Sequence, residues 1–125
     1  MLATSKTTSD LIKARELIAD KEHWTTCTYK RCNAINDTVS YCAVGALLEV
    51  FGLGQWPIVI DQQTLREKLP ALRLLETVAM ELFPVCSHTP SRVVEAVNDA
   101  LGFDAVHRLY DRAIEKSMME DSSEG

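Results

Sequence analysis

The side chains in this chain best suited to nucleophilic chemistry are its four cysteines, and Cys42 is the most suggestive of them. It follows Tyr41 and precedes the uncharged run AVGALL. A thiol in the first turn of a helix can be stabilised as a thiolate, which makes Cys42 a candidate nucleophile of a hydrolase or transferase. Such an enzyme also needs a base, and neither His23, His88 nor His107 lies in a recognisable catalytic signature.

The alternative for Cys42 is packing, because cysteine is often buried as a small apolar side chain. We favour this interpretation and predict no catalytic residue. A serine hydroxyl at a packed position would lack a hydrogen-bond partner. We therefore expect Cys42→Ser to destabilise the fold more than Cys42→Ala.

Metal binding is the second chemistry that the cysteines could support. Cys27 and Cys32 are close in sequence, and Cys86 lies two residues before His88. These four side chains are of the types that bind zinc, but the second pair does not match a common zinc framework. We predict no bound metal and no cofactor, with loop thiols and an exposed histidine in their place.

Two further segments carry polar or aromatic groups that could act in binding or catalysis. Asn98 and Asp99 form an amide–acid pair, but near a helix end such residues usually serve as caps or turns, which we favour here. Residues 21–38, KEHWTTCTYKRCNAINDT, predict an ordered loop or short hairpin anchored by Trp24. Its candidate binding residues are Trp24, Tyr29, Lys30 and Arg31.

Apolar spacing and cap residues predict helices along most of the chain. The first is expected over about residues 10–20 with Ser9 as N-cap, and a largely apolar central helix follows a cap at Thr38 or Ser40. The others are a helical stretch from Gln62 to Pro84, interrupted or reopened at Pro70, one from Pro90 closed by Gly102, and one capped by Asp104. The prediction is an all-α, compact single-domain bundle of about five helices with minor extended segments.

Length and charge exclude several classes of protein. The 125 residues fit one domain, which we place at 9–118, with flexible termini at 1–8 and 119–125. The net charge of −5 disfavours nucleic acid as a partner. The apolar run 39–48 is about half the roughly 20 residues that cross a bilayer, and the N-terminus lacks a signal-peptide core. We expect an acidic cytoplasmic protein that does not bind membranes.

Several short motifs together resemble a small bacterial and bacteriophage family known only as a domain of unknown function. The resemblance rests on ARELIADKEHW, YCAVGAL and VVEAVNDALGFDAVHRLYDRAI, in that order. One departure is Tyr41, where the family often has Trp. The resemblance implies an uncharacterised role and a phage or mobile-element origin. The matching positions are Trp24, Tyr41, Cys42, Gly45, Ala46, Leu47, Asn98, Asp99, Asp111, Arg112 and Ala113.

Taken together, the residues favour a non-catalytic protein-binding module over an enzyme that uses Cys42. The long, aromatic loop of mixed charge is suited to contact a protein partner, whereas the residues that could act in catalysis are dispersed along the sequence. The partner's identity does not follow from the sequence. A homodimer is also compatible, because Leu53, Trp56 and Ile58 could exceed what one core needs.

Overall fold

The computed structural model describes residues 5–26, 30–35, 37–52, 69–84 and 90–124. Within these residues the fold is mostly helical, which confirms the predicted class. Its elements are α1 (Lys6–Leu17), a 3₁₀ turn (Lys21–His23), β1 (Lys30–Asn33), β2 (Thr38–Tyr41), α2 (Ala43–Val50), α3 (Pro70–Leu82), α4 (Pro90–Ala96), a π-turn (Val97–Leu101) and α5 (Phe103–Glu124).

The first helix begins four residues earlier than predicted, since its N-cap is Ser5 and not Ser9. Ser5 Oγ accepts a hydrogen bond from the Thr8 amide at 3.2 Å. Thr8 is fully buried, and its hydroxyl is hydrogen-bonded to Ser117 and to Asp121 of α5. The start of α1 is therefore fixed by the last helix, which local sequence signals do not reveal.

The last helix is longer than predicted at both ends. It begins at Phe103, so Asp104 lies in its first turn and is not its cap. It extends to Glu124, beyond residue 118, where we placed the end of the domain. Asp121 accepts hydrogen bonds from the Ser5 amide at 3.2 Å and from the Thr8 hydroxyl at 2.8 Å. These bonds explain why a polar segment continues as packed helix.

Strands β1 and β2 form the antiparallel hairpin that the sequence allowed, with Lys30 opposite Tyr41 and Asn33 opposite Thr38. The prediction that Thr38 or Ser40 caps α2 is wrong, because both lie in β2. Cys42 is the N-cap. The segment before the hairpin pairs with the end of β2. Trp24 and Tyr41 form a parallel β-bridge, and the Thr25 amide donates to the Tyr41 carbonyl at 3.0 Å.

Helices α2 and α3 supply much of the core. Residues 43–48 of α2 are all buried, as expected of a central helix that its neighbours cover. Helix α3 buries one apolar face, formed by Leu72, Leu75, Val78 and Ala79 at helical spacing. Residues 53–68 and 85–89, including Leu53, Trp56, Ile58 and the start predicted at Gln62, lie outside the described residues.

The chain between α4 and α5 contains the π-turn and a glycine. Val93, Val94 and Val97 are buried in the core, and their spacing places them on one face of the helix. The Gly102 amide donates to the Val97 carbonyl at 3.2 Å, which closes the turn five residues back. Gly102 has φ +96°, which side-chain-bearing residues rarely adopt, so glycine is favoured between the π-turn and the start of α5. None of the described helices combines the length and apolar composition needed to span a bilayer.

Candidate functional site

Asn98 is the centre of a polar network that joins distant parts of the chain. It lies in the π-turn and is 1% exposed. Its Oδ1 accepts from Trp24 Nε1 at 2.7 Å and from the Ala43 amide at 3.0 Å. Its Nδ2 donates to the Thr25 carbonyl and to Asp99 Oδ1, each at 3.0 Å.

These four bonds use the whole capacity of an asparagine side chain, which has two acceptor lone pairs and two donor hydrogens. Asn98 lies in a turn at a helix end, as predicted, but its side chain does not cap the neighbouring helix. Its carbonyl oxygen does serve a helix N-terminus, but it is that of α2, 55 residues away in sequence. Asn98 links the segment before the hairpin, the start of α2 and the π-turn.

A buried tyrosine completes the network from α5. Tyr110 is fully buried, and its hydroxyl donates to the Ala43 carbonyl at 2.5 Å. Burial raises the pKa of this phenol well above its ordinary value, so Tyr110 remains a hydrogen-bond donor. The backbone N–H and the backbone carbonyl of Ala43 therefore both have side-chain partners, which fix the first residue of α2.

Cys42 caps this same helix through its sulfur. Sγ accepts from the Gly45 amide at 3.3 Å, and the residue is 5% exposed. Burial raises the pKa of the thiol to about 11, and the nearby carboxylates of Glu95 and Asp99 also raise it. The hydrogen bonds from the Gly45 and Val44 amides act in the opposite direction but do not compensate. These properties are those of a protonated, packed thiol.

The position of Cys42 changes our expectation for its substitution. A serine at this N-cap would find the Gly45 amide as a partner, and serine is among the best N-cap residues. We now expect Cys42→Ser to be milder than Cys42→Ala, which removes the cap and should lower the free energy of unfolding by about 1 kcal/mol. Urea unfolding of both variants measures the order. A larger loss for Cys42→Ser would show that the capping bond contributes little.

Trp24 is half-buried and contacts both the π-turn and α5. Its indole N–H is bound to Asn98, and its ring meets Phe103 edge-on, with centroids 5.7 Å apart. Phe103 packs in turn on His107, whose Nε2 lies 2.6 Å from the Ile18 carbonyl oxygen. These contacts support a role for Trp24 in anchoring the hairpin, as the sequence suggested, whereas its contact with a partner stays a prediction.

Two other predicted binding residues, Lys30 and Arg31, lie on β1. Arg31 is exposed, and Lys30 Nζ lies over the Tyr41 ring, 5.9 Å from its centroid. Tyr29 lies outside the described residues. Ile35 at the hairpin tip is 98% exposed and was not among the predicted binding residues. An isoleucine within the polar turn sequence NAIND was the signal that could have identified it.

The cysteines and the histidine that we considered as zinc ligands, and for which we predict no metal, are described only in part. Cys32 lies exposed on β1, whereas Cys27, Cys86 and His88 fall outside the described residues. Elsewhere, ligand atoms of Asp20, Glu22 and His23 lie within 4.8 Å of one another. Exposed groups of this kind often cluster without an ion, and we assign no metal to them.

Comparison with known proteins places the chain in a family without assigning it a reaction. The model of a family described as "Family of unknown function (DUF6197)" matches residues 3–116. This match covers the segments that carry the motifs, including Cys42 and Asn98. No curated protein and no solved structure matches the chain.

Proposed function

The chain belongs to this family of unknown function, and we propose that it is a non-catalytic protein-binding module that uses hairpin β1–β2 as its contact surface. The observation that carries the proposal is the 98% exposure of Ile35 at the hairpin tip. Burial of a large, solvent-exposed apolar side chain against a partner makes the free energy of binding more favourable. Ile35 is therefore the proposed anchor of the contact.

The surroundings of Ile35 are suited to the edge of a protein interface. Arg31 and Cys32 are exposed on the strand that leads to the tip, and arginine is enriched in protein interfaces. An apolar anchor beside a flexible cation is a common arrangement, in which the anchor fills a pocket and the cation lies at the rim. The proposed partner therefore offers an apolar pocket.

The state of Cys42 supports a binding role over the alternative of a Cys-dependent hydrolase or transferase. Its thiol is buried, its pKa is raised to about 11, and its sulfur accepts from the amide of Gly45. A nucleophilic cysteine needs the opposite conditions, namely access and a lowered pKa. The Asn98 side chain already makes two donor and two acceptor hydrogen bonds within the protein, so it has no remaining hydrogen-bond capacity for a substrate.

The biological setting is also part of the proposal. The sequence resemblance supports an accessory factor of phage or mobile-element origin, and the thiols support a cytoplasmic location, where cysteines stay reduced. The net charge of −5 favours a protein partner over nucleic acid. A second copy of the chain is an alternative partner, which the experiment below distinguishes.

Affinity capture with Ile35→Asp tests the proposal. Tagged wild-type protein, Ile35→Asp and the control Met119→Asp are each incubated with a lysate of the source organism. Met119 is 61% exposed on α5, so its variant introduces the same charge at an apolar position away from the hairpin. We expect one protein to be retained by the wild type and by Met119→Asp but lost with Ile35→Asp.

Two other results would contradict the proposal. Retention of the same proteins by all three chains would remove the hairpin from the contact. Recovery of only a second, untagged copy of the chain, with a dimer mass in light scattering, would replace the unknown partner by self-association.

A further inference from the structure

We infer that Asn98 is a positioning residue for the hairpin surface, acting on partner binding without touching the partner. This inference rests on the proposed function. Asn98 lies in the π-turn, whereas the proposed anchor Ile35 is at the hairpin tip. The two are connected by a short series of hydrogen bonds through the segment that precedes the hairpin.

The series begins at the Asn98 amide group. Its Oδ1 accepts a hydrogen bond from the Trp24 indole N–H, and its Nδ2 donates one to the Thr25 carbonyl. One side chain therefore positions two consecutive residues. Thr25 then donates its amide to the Tyr41 carbonyl at 3.0 Å, and Trp24 bridges Tyr41. Tyr41 is the last residue of β2. Asn98 therefore fixes the segment against which the hairpin base is aligned.

Burial in the hairpin is too limited to fix its direction by apolar packing alone. In β2, Ser40 and Tyr41 are buried while Thr38 and Val39 are partly exposed, and in β1 both Arg31 and Cys32 are exposed. An isolated two-stranded hairpin is marginally stable in water. The polar attachments at its base, including His23 Nδ1 at 3.1 Å from the Val39 carbonyl oxygen, therefore contribute a large share of its alignment.

A hairpin with a fixed orientation favours binding because it loses less conformational entropy when the partner binds. If the base loosens, Ile35 and Arg31 keep their chemistry but sample more orientations. Affinity then falls although no contact residue has changed. This effect separates a positioning residue from a contact residue.

Hydrogen exchange and capture with Asn98→Asp test the inference. Aspartate keeps the size and both acceptor bonds, but its carboxylate cannot donate to the Thr25 carbonyl and repels Asp99. Trp24→Phe is the second variant, because it removes only the indole donor and keeps an aromatic ring against Phe103. The control is Val78→Ala, which opens the core within α3 at a fully buried position.

We expect the β1 and β2 amides to exchange about tenfold faster in Asn98→Asp, from the loss of one or two hydrogen bonds at the base. Trp24→Phe should show a smaller change in the same amides. In Val78→Ala, the α3 amides should be affected more than those of the hairpin. Retention of the partner found by capture should fall with Asn98→Asp and persist with Val78→Ala.

Each contrary result has a separate meaning. Unchanged hairpin exchange in both Asn98→Asp and Trp24→Phe would overturn the positioning role while leaving the proposed function intact. Faster hairpin exchange with full retention of the partner would show that alignment does not govern binding, which also overturns it. If the wild-type chain captures nothing, the proposed function fails, and its dependence on Asn98 fails with it.

Discussion

Iodoacetamide should modify Cys32 in the native protein at least about 100-fold faster than Cys42 at neutral pH, because only the thiolate attacks and burial hinders access. A pKa of about 11 leaves Cys42 almost wholly protonated, and the residue is 5% exposed. Cys32 is exposed on β1. Mass spectrometry of digested peptides at successive times measures each rate separately, and Cys27 and Cys86 are followed in the same digests.

Unfolded protein provides the control for this difference in reactivity. In denaturant both thiols should react at similar rates, since local burial is lost. If Cys42 instead reacted at least as fast as Cys32 in the native state, the packed-thiol assignment would be wrong. Such a result would favour the alternative of a Cys-dependent enzyme.

Asn98→Ala should lower the free energy of unfolding by about 3 kcal/mol, because several polar groups lose their partner at once. The Ala43 amide and the Thr25 carbonyl would lose the hydrogen bonds that they make with Asn98, and so would the Trp24 indole. Alanine adds a small cavity to this loss. Urea unfolding followed by circular dichroism measures the change.

Asp104→Ala is the matched control on the surface. Asp104 is exposed in the first turn of α5, where a carboxylate contributes less than about 1 kcal/mol through the helix dipole. Trp24→Phe should fall between the two variants, since it removes one donor from the network. A loss below about 1 kcal/mol for Asn98→Ala would mean that water replaces the side chain at little cost.

The helical class and the core faces could be predicted from sequence because they depend on local periodicity. The spacing of Leu72, Leu75 and Val78 fixes the buried side of α3 regardless of what covers it. The same holds for Val93, Val94 and Val97 in the chain around α4. These positions follow from helix geometry alone.

The candidate site could not be predicted in this way because its partners are distant in sequence. Asn98 binds Trp24 across 74 positions and Ala43 across 55. The residue types were compatible with a local cap, and nothing near Asn98 in sequence revealed a buried amide. The N-cap role of Cys42 was missed for a related reason, since it depends on where α2 begins, and that depends on where β2 ends.

The contact between Ser5 and Asp121 brings together two positions that are 116 residues apart. A designed chain could therefore carry the whole fold as an insert, with both of its connections leaving from one point on the surface. Such an insert would fit a surface loop of a carrier protein without forcing that loop apart. The hairpin, as the proposed contact surface, would then be displayed from the carrier together with the helices that support it.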